Sequence, residues 1–234
     1  MAGWLNVRAG SGSLLTVPIM LFMGIPAPVA NGTNRIAILA QNITAVTTFR
    51  NRGFSDFKLS LSLAAAAAVG ALGGASVGVH HDGEWFDRVL ALVKVADLIL
   101  MASGHDTIKP VGGDAQPKNL LLGHVLMVGA GFWGGFIQIG VGFILMPILH
   151  RVMGLDLVRV NMHKVFVVLV FTIVALAVFA SQLELLWWTG AALAVGNSIG
   201  GWLGAHTTVR HGETLIRRVL YVALTAFIVK LLFF

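Results

Sequence analysis

The sequence predicts an all-α membrane protein of two inverted repeats, each a broken or re-entrant helical element followed by three transmembrane helices, about seven to eight hydrophobic segments in all. Three observations predict it. Hydrophobic residues make up 57% of the 234 positions and charged residues only 11%, too little polar surface to cover a soluble globule, so the chain belongs in a bilayer. The stretch Gly10 to Arg35, GSGSLLTVPIMLFMGIPAPVANGTNR, returns in degenerate form as Gly140 to Lys164, GVGFILMPILHRVMGLDLVRVNMHK. Equivalent loops of the two halves also carry net charge of opposite sign.

The two copies share more than composition. Each opens Gly-x-Gly (Gly10 and Gly12, Gly140 and Gly142) and runs through an apolar segment broken by proline (Pro18, Pro147). Each then turns at Met-Gly (Gly24, Gly154) and ends in a polar cluster that opens a new helix. Asn31 matches Asn161, Thr33 matches His163 and Asn34 matches Lys164, an offset of 130 residues. A solenoid repeats at roughly 20 to 50 residues, so a period this long marks a duplicated half-protein. The boundaries follow: residues 1–103 for the first repeat, 104–118 for a linker, 119–234 for the second repeat.

A span requires about 20 mostly apolar residues. Leu14 to Met23 is apolar, contains Pro18 and is long enough for half a bilayer only, which predicts a half-helix. Asn31 to Phe49 follows the Pro26-Ala-Pro28 start, where missing N–H donors cost least, and is a span with polar first turns. Leu59 to Val79 is rich in Ala and Gly, residues that permit close helix contact. The loop at 80–88 leads to Val89 to Ser103, and 104–118, with its Gly and Pro, is the only long polar stretch. In the second half, Leu120 to Ile137 runs into the bend GFWGGFIQIGVG and a second half-helix, Phe143 to Val152. Val158 to Ala180, Leu185 to Thr207 and Leu215 to Phe233 complete the set. Only nine residues precede Gly10, so the first half has no full counterpart of Leu120 to Ile137, and Met1 to Arg8 contains no apolar stretch of the kind a removable secretory signal needs.

The net charge of +6 is read as loop bias rather than as a surface for nucleic acid. The loop carrying Arg50, Arg52, Asp56 and Lys58 is net positive, and its counterpart ending at Glu184 is negative. The next pair reverses: Asp82, Glu84, Asp87 and Arg88 sum to negative, Arg210, Glu213, Arg217 and Arg218 to positive. Because positive loops stay on the cytoplasmic side, equivalent loops fall on opposite sides and the halves are inverted. Inverted repeats with discontinuous helices place a transport site at the repeat interface near mid-bilayer.

The candidate substrate-binding residues are Asn31, Thr33, Asn34 and Arg35 from one half and Asn161, His163 and Lys164 from the other. To these are added Gly10, Gly12, Gly140 and Gly142 at the breaks and Gln138 inside the second bend. Amides, hydroxyls, a guanidinium and an ammonium all suit an oxyanion, Arg by two-point bonding and Lys as a movable point charge. Glycine at a break lets an anion approach backbone N–H groups. Each feature also has a structural reading: Gly for packing, the amides as caps, and Arg35 and Lys164 reaching to an interface. Gln41 and Asn42 extend the Asn31 side into a polar stripe by helical spacing. Lys94 and Asp97, three apart, form an ion pair or a relay, and His163 is either a packed histidine or a proton-coupling group.

Several chemistries are excluded. The chain has no Cys, hence no disulfide, thiolate metal site or cysteine nucleophile. His80, His81 and Asp82 lack a second ligand pair, so no metal is expected there, and no cofactor is expected elsewhere. Gly129-Ala-Gly131-Phe-Trp-Gly134 matches the dinucleotide fingerprint in letters but has no strand before it and no βαβ unit around it. No Walker lysine, H-E-x-x-H or G-x-S-x-G motif occurs, which argues against an enzyme. Besides a secondary transporter, an anion channel fits the layout, and a non-transport membrane subunit is a third class.

The repeated stretch GSGSLLTVPIMLFMGIPAPVANGTNR, the segment GFWGGFIQIGVGFILMPILHRVMGL and the two-half layout resemble the sulfite exporter TauE/SafE family of membrane transporters over nearly the whole chain. The resemblance implies a multi-pass permease of the bacterial inner membrane for sulfite, a sulfonate or a related small sulfur-containing anion, driven by an ion gradient. Its partners would be that anion, the lipid bilayer and a coupling proton or other ion. The permeation site would lie around Asn31 to Arg35 and Asn161 to Lys164.

Overall fold

The structure is a computed structural model and describes residues 13–53, 56–80 and 117–207. Among these residues all regular structure is helical: α1 (Ser13–Phe22), α2 (Ala27–Asn51), α3 (Phe57–His80), α4 (Leu120–Phe136), α5 (Val141–Pro147) continuing into a π-helical segment (Ile148–Val152), α6 (Leu157–Gln182) and α7 (Trp187–Thr207). The first Gly-x-Gly, the loop at 81–88, the span Val89 to Ser103 with Lys94 and Asp97, nearly all of the linker and the span Leu215 to Phe233 lie outside the described residues.

Local chemistry sets the helix ends. Pro26 and Pro28 open α2 four residues before the predicted start, since a first-turn proline removes only donors that would be unpaired anyway. Asp156 caps α6, its carboxylate accepting from the N–H groups of Val158 and Arg159 at 2.9 and 3.1 Å. The predicted half-helix Phe143 to Val152 is longer and changes character inside. It starts at Val141, and beyond Pro147 the turn widens so that Met153 N–H donates to Ile148 O at 3.0 Å, five residues back. Gly24 and Gly154, equivalent in the repeat, both adopt the left-handed conformation, with φ of +79° and +72°.

The helices keep the repeat in register. α2 and α6 begin at Ala27 and Leu157 and α3 and α7 at Phe57 and Trp187, the same 130-residue offset as the sequence copies. From Asn31 to Phe49 and from Asn161 to Phe179 the degree of burial agrees position by position. Such agreement requires equivalent surroundings, not only equivalent sequence.

The surroundings are exchanged between halves. Gly32 near the start of α2 lies against Phe179 near the end of α6, while Ala45 and Phe49 near the end of α2 cluster with Met162 and Val165 near the start of α6. These two equivalent helices therefore pack antiparallel. α3 runs parallel to α6, Ser60 meeting His163 at one end and Ala75 and Val79 sharing a cluster with Ala175 and Phe179 at the other. Correspondingly, α7 runs parallel to α2, with Gly190 beside Thr33 and Ile36 and Gly201 beside Gln41.

α3 and α6 are long and apolar enough to cross a membrane, with mean hydropathy of 1.6 and 2.6. α2 is as long, but its buried polar face lowers its hydropathy. Large apolar side chains such as Leu121, Val69, Trp188 and Val195 point outward from the bundle, the pattern of helices solvated by lipid.

α4 and α5 form a hairpin. Lys118 N–H donates to Met153 O at 2.9 Å and Asn119 Nδ2 to Val152 O at 3.1 Å, so the chain enters and leaves the hairpin at the same end. α4 lies parallel to α3 at backbone contact. A Cβ on Gly74 would strike Phe132 O, and one on Gly135 would strike Ala71 O. Gly74→Val or Gly135→Val should therefore destabilise the protein by roughly 1–3 kcal/mol, whereas Gly129→Ala, where nothing lies within 4 Å, should be neutral. Retention of a monodisperse peak after heating in detergent measures this; equal loss in all three variants would contradict the close-packing account.

Candidate functional site

The hairpin turns at Ile137 to Gly140, and this turn creates the main polar problem of the fold. A helix end leaves four carbonyls without partners, and inside a tightly packed apolar bundle other groups must satisfy them. Here all four are paired. Trp133 O accepts from the N–H groups of Ile137 and Gln138 at 3.0 and 3.2 Å. Arg35 donates through Nη1 to Gly134 O at 3.0 Å and through Nη2 to Gly135 O, and Asn31 Nδ2 donates to Phe136 O at 2.8 Å. Trp133 Nε1 reaches across the turn to Ile139 O at 3.0 Å.

Arg35 is fully buried, and three neighbours make that tolerable. Its charge faces the negative end of the α4 dipole, its planar head spans two carbonyls, and it stacks 4.6 Å from the centroid of the Phe179 ring. This corrects the expectation that both arms of the guanidinium are available for an anion: both terminal nitrogens hold the hairpin, and Nε alone has no hydrogen-bond partner.

Gln138 is the most constrained residue of the turn. It adopts φ of +66° without being glycine, donates through Nε2 to Thr172 Oγ1 at 3.0 Å, and its Oε1 is buried without a partner. Thr172 lies near the middle of α6, so the turn sits at mid-depth in the bundle. Gly140 takes φ of +73° and Gly142 is buried just inside α5. Asn34 accepts from Thr16 Oγ1 at 2.6 Å, and its Nδ2 is a buried donor without a partner. Thr33 faces the other way and accepts from Leu186 N–H at 3.2 Å, joining α2 to the start of α7.

The second cluster is elsewhere. Asn161, His163 and Lys164 are all buried in the first two turns of α6. His163 Nδ1 lies 2.8 Å from Ser60 Oγ, while His163 Nε2 and Asn161 Oδ1 have no partner. Because α2 and α6 are antiparallel, Asn161 is separated from Asn31 by about 25 Å along the helix axes. The packing thus does not bring the two polar clusters onto one pocket, as the sequence had suggested; it sets them toward opposite ends. Between them, near mid-depth, lie Gln41, Asn42, Gln138 and Thr172, all buried. Asn42 Nδ2 bonds Ile38 O of its own helix at 2.8 Å. Gly10 and Gly12 lie outside the described residues.

Sequence reasoning missed Thr16, Ser60, Trp133 and Thr172. A signal existed for Thr172, the single hydroxyl in the apolar run Val165 to Ala180, and for Ser60, whose repeat equivalent is Gly190.

Buried polar side chains closing a helix break, inside a bundle with an apolar exterior, mark a membrane protein that is all-helical among its described residues, with a polar interior at mid-depth. The chain belongs to the sulfite exporter TauE/SafE family, whose model matches residues 1–231. Among curated relatives it is similar to a probable membrane transporter protein of a Sinorhizobium species, 25% identical over 99% of this chain and 88% of the relative. It is also similar to one of Haemophilus influenzae, 25% identical over 93% and 85%. The probable membrane transporter protein YfcA of Escherichia coli K12 is 24% identical over 100% and 86%. The names are those of membrane transporters, not enzymes. No solved structure matches the chain.

Arg35→Met should leave Gly134 O and Gly135 O unpaired, at about 1–3 kcal/mol each, and lower the melting midpoint of the detergent-solubilised protein. Arg35→Lys should recover only part of this, because an ammonium lacks the planar fork that spans two carbonyls. An Arg35→Met protein as heat-resistant as the parent would show that the clamp is dispensable.

Proposed function

We propose that the protein is a secondary transporter of two inverted repeats that exports or exchanges a small sulfur-containing oxyanion, such as sulfite or an organosulfonate, across the bacterial inner membrane by alternating access. The family supports the substrate class, since its description names sulfite export. The antiparallel packing of α2 against its equivalent α6 supports inversion. Charge supports the orientation. Among the described residues Arg50, Arg52, Lys58, Lys118, Arg151 and Arg159 all lie at the end where α2 stops and α6 starts, and Glu184 lies at the opposite end. The basic end is then cytoplasmic, and the α4–α5 hairpin is re-entrant from that side.

The observation that carries the reading is the pair of unpaired buried donors, Asn34 Nδ2 and Arg35 Nε, next to a helix break whose carbonyls are all otherwise paired. Buried donors left open at bilayer depth are costly unless something passing through uses them. In this reading Asn31, Thr33, Asn34 and Arg35 form the outer part of the path. Gln138 with Gly140 and Gly142 forms the central step, and Asn161, His163 and Lys164 form the inner part. Gly10 and Gly12 would supply the matching break of the first half. Arg35 and Lys164 keep the potential positive along the path, and hydroxyls and amides exchange for the anion's lost hydration. Alternating access would move the hairpin relative to α2 and α6, exposing the central step to one side at a time.

Flux into proteoliposomes over sulfite, sulfate, thiosulfate, sulfoacetate and chloride tests this. Saturable uptake of a sulfur oxyanion is expected, lowered roughly ten- to a hundredfold in kcat/KM by Lys164→Gln and by Asn34→Ala. Flux that rises without saturation would identify a channel, and parental kinetics in both variants would remove the site assignment.

A further inference from the structure

We propose that His163 is a proton-binding site of the transporter, loaded and emptied from the basic end of the molecule through a cleft between α2, α3 and α6, with the Ser60 hydroxyl as relay. The proposal rests on the transporter reading and names its coupling ion.

The imidazole is completely enclosed. Its Nδ1 lies 2.8 Å from Ser60 Oγ, and its Nε2 has no partner. Ser60 also belongs to the wall of a cleft formed with Phe49, Arg50, Asp56, Phe57 and Phe166. Asp56 and Arg50, both exposed, stand at that wall, and the Asp56 carboxylate accepts from Leu59 N–H at the start of α3. Ser60, itself buried, therefore stands between the cleft on one side and a buried titratable ring on the other.

The repeat supplies an independent argument. His163 corresponds to Thr33, and Ser60 corresponds to Gly190. In the other half the same helix crossing is made by Thr33 and Gly190, which lie side by side with no titratable group. The fold thus has a working solution without histidine, and the His163–Ser60 pair is an addition at one end only.

The transfer balances without any further reagent. With the imidazole proton on Nε2, a hydronium ion reaching the cleft gives a proton to Ser60 Oγ and is left as water, while the Ser60 hydroxyl proton passes to Nδ1. The result is an imidazolium and an unchanged serine, and the reverse sequence unloads it. The charges near the ring are Asp56 from the start of α3, Arg50 from the cleft, Asp156 at the cap of α6, and Arg159 and Lys164 on α6 itself. His150 of the π-helical segment is occupied, its Nδ1 2.8 Å from Leu155 O. On protonation Nε2–H becomes a charged donor in the inner part of the path, so a bound anion and a bound proton stabilise one another.

Two measurements on the full-length protein test this. In nanodiscs, ¹⁵N-histidine spectra contain a signal that His163→Gln removes. That signal should move from neutral imidazole to imidazolium shifts on acidification, and Ser60→Ala should alter its tautomer. A His163 signal that stays neutral over the range in which exposed histidines titrate would overturn the proposal. In proteoliposomes held at zero membrane potential, the steady-state ratio of methanesulfonate, whose charge is fixed, should shift by about tenfold per unit of imposed pH gradient for one coupled proton. His163→Gln should abolish the shift whatever rate it retains; a shift of parental size in that variant would also overturn the proposal. Absence of flux for every anion would instead remove the transporter reading, and the spectra would still decide the proton site.

Discussion

The closing of the α4 carbonyl end by Arg35 and Asn31 is the interaction on which the rest of this structure depends. A helix that stops inside a bilayer is tolerated only if its last carbonyls find donors. Both residues come from the first turns of α2, about 100 positions earlier in the chain, so the break is completed only when the two halves dock. Each unpaired carbonyl would cost about 1–3 kcal/mol, a large fraction of the stability of an ordinary domain. Phe179 of α6 completes the enclosure beneath the guanidinium, which ties the clamp to a third element.

The two sequence copies fold into helices with equivalent burial, and they differ most in chemistry at their polar clusters. Burial along α2 and α6 is nearly superimposable, yet the buried residue types diverge: Arg35 faces Val165 as its equivalent, Asn34 faces Lys164, Thr33 faces His163. Packing conserves shape across the two halves while chemistry differs between them. On the proposed reading, a path lined by such non-identical ends would have a direction even though its scaffold is symmetric.

Much of the fold was legible because membrane solvation imposes simple rules. Apolar length located α3 and α6, proline and glycine located the turns at Gly24 and Gly154, and the repeated polar clusters marked the first turns of α2 and α6. The hairpin was legible only in part. The bend was evident from its glycines, but its supports, the amide of Asn31 and the guanidinium of Arg35, are contacts over long sequence separation that periodicity does not encode. For the same reason the clusters were expected to meet. Loop charge led to the expectation of inversion, but antiparallel neighbours place equivalent helix starts apart, and only the packing partners of Gly32 and Phe49 reveal that. The role of Arg35 as a clamp was likewise hidden, since a buried guanidinium on a polar turn reads equally well as a ligand.

The absence of native cysteine makes the central geometry directly measurable. Single cysteines at Arg52, Lys118, Arg151 and Glu184 can be challenged with a membrane-impermeant thiol reagent in intact spheroplasts and in inside-out vesicles. The account predicts that Arg52, Lys118 and Arg151 react from the cytoplasmic face and Glu184 from the other. Labelling of Lys118 and Arg151 from opposite faces, or of Arg52 and Glu184 from one face, would contradict it.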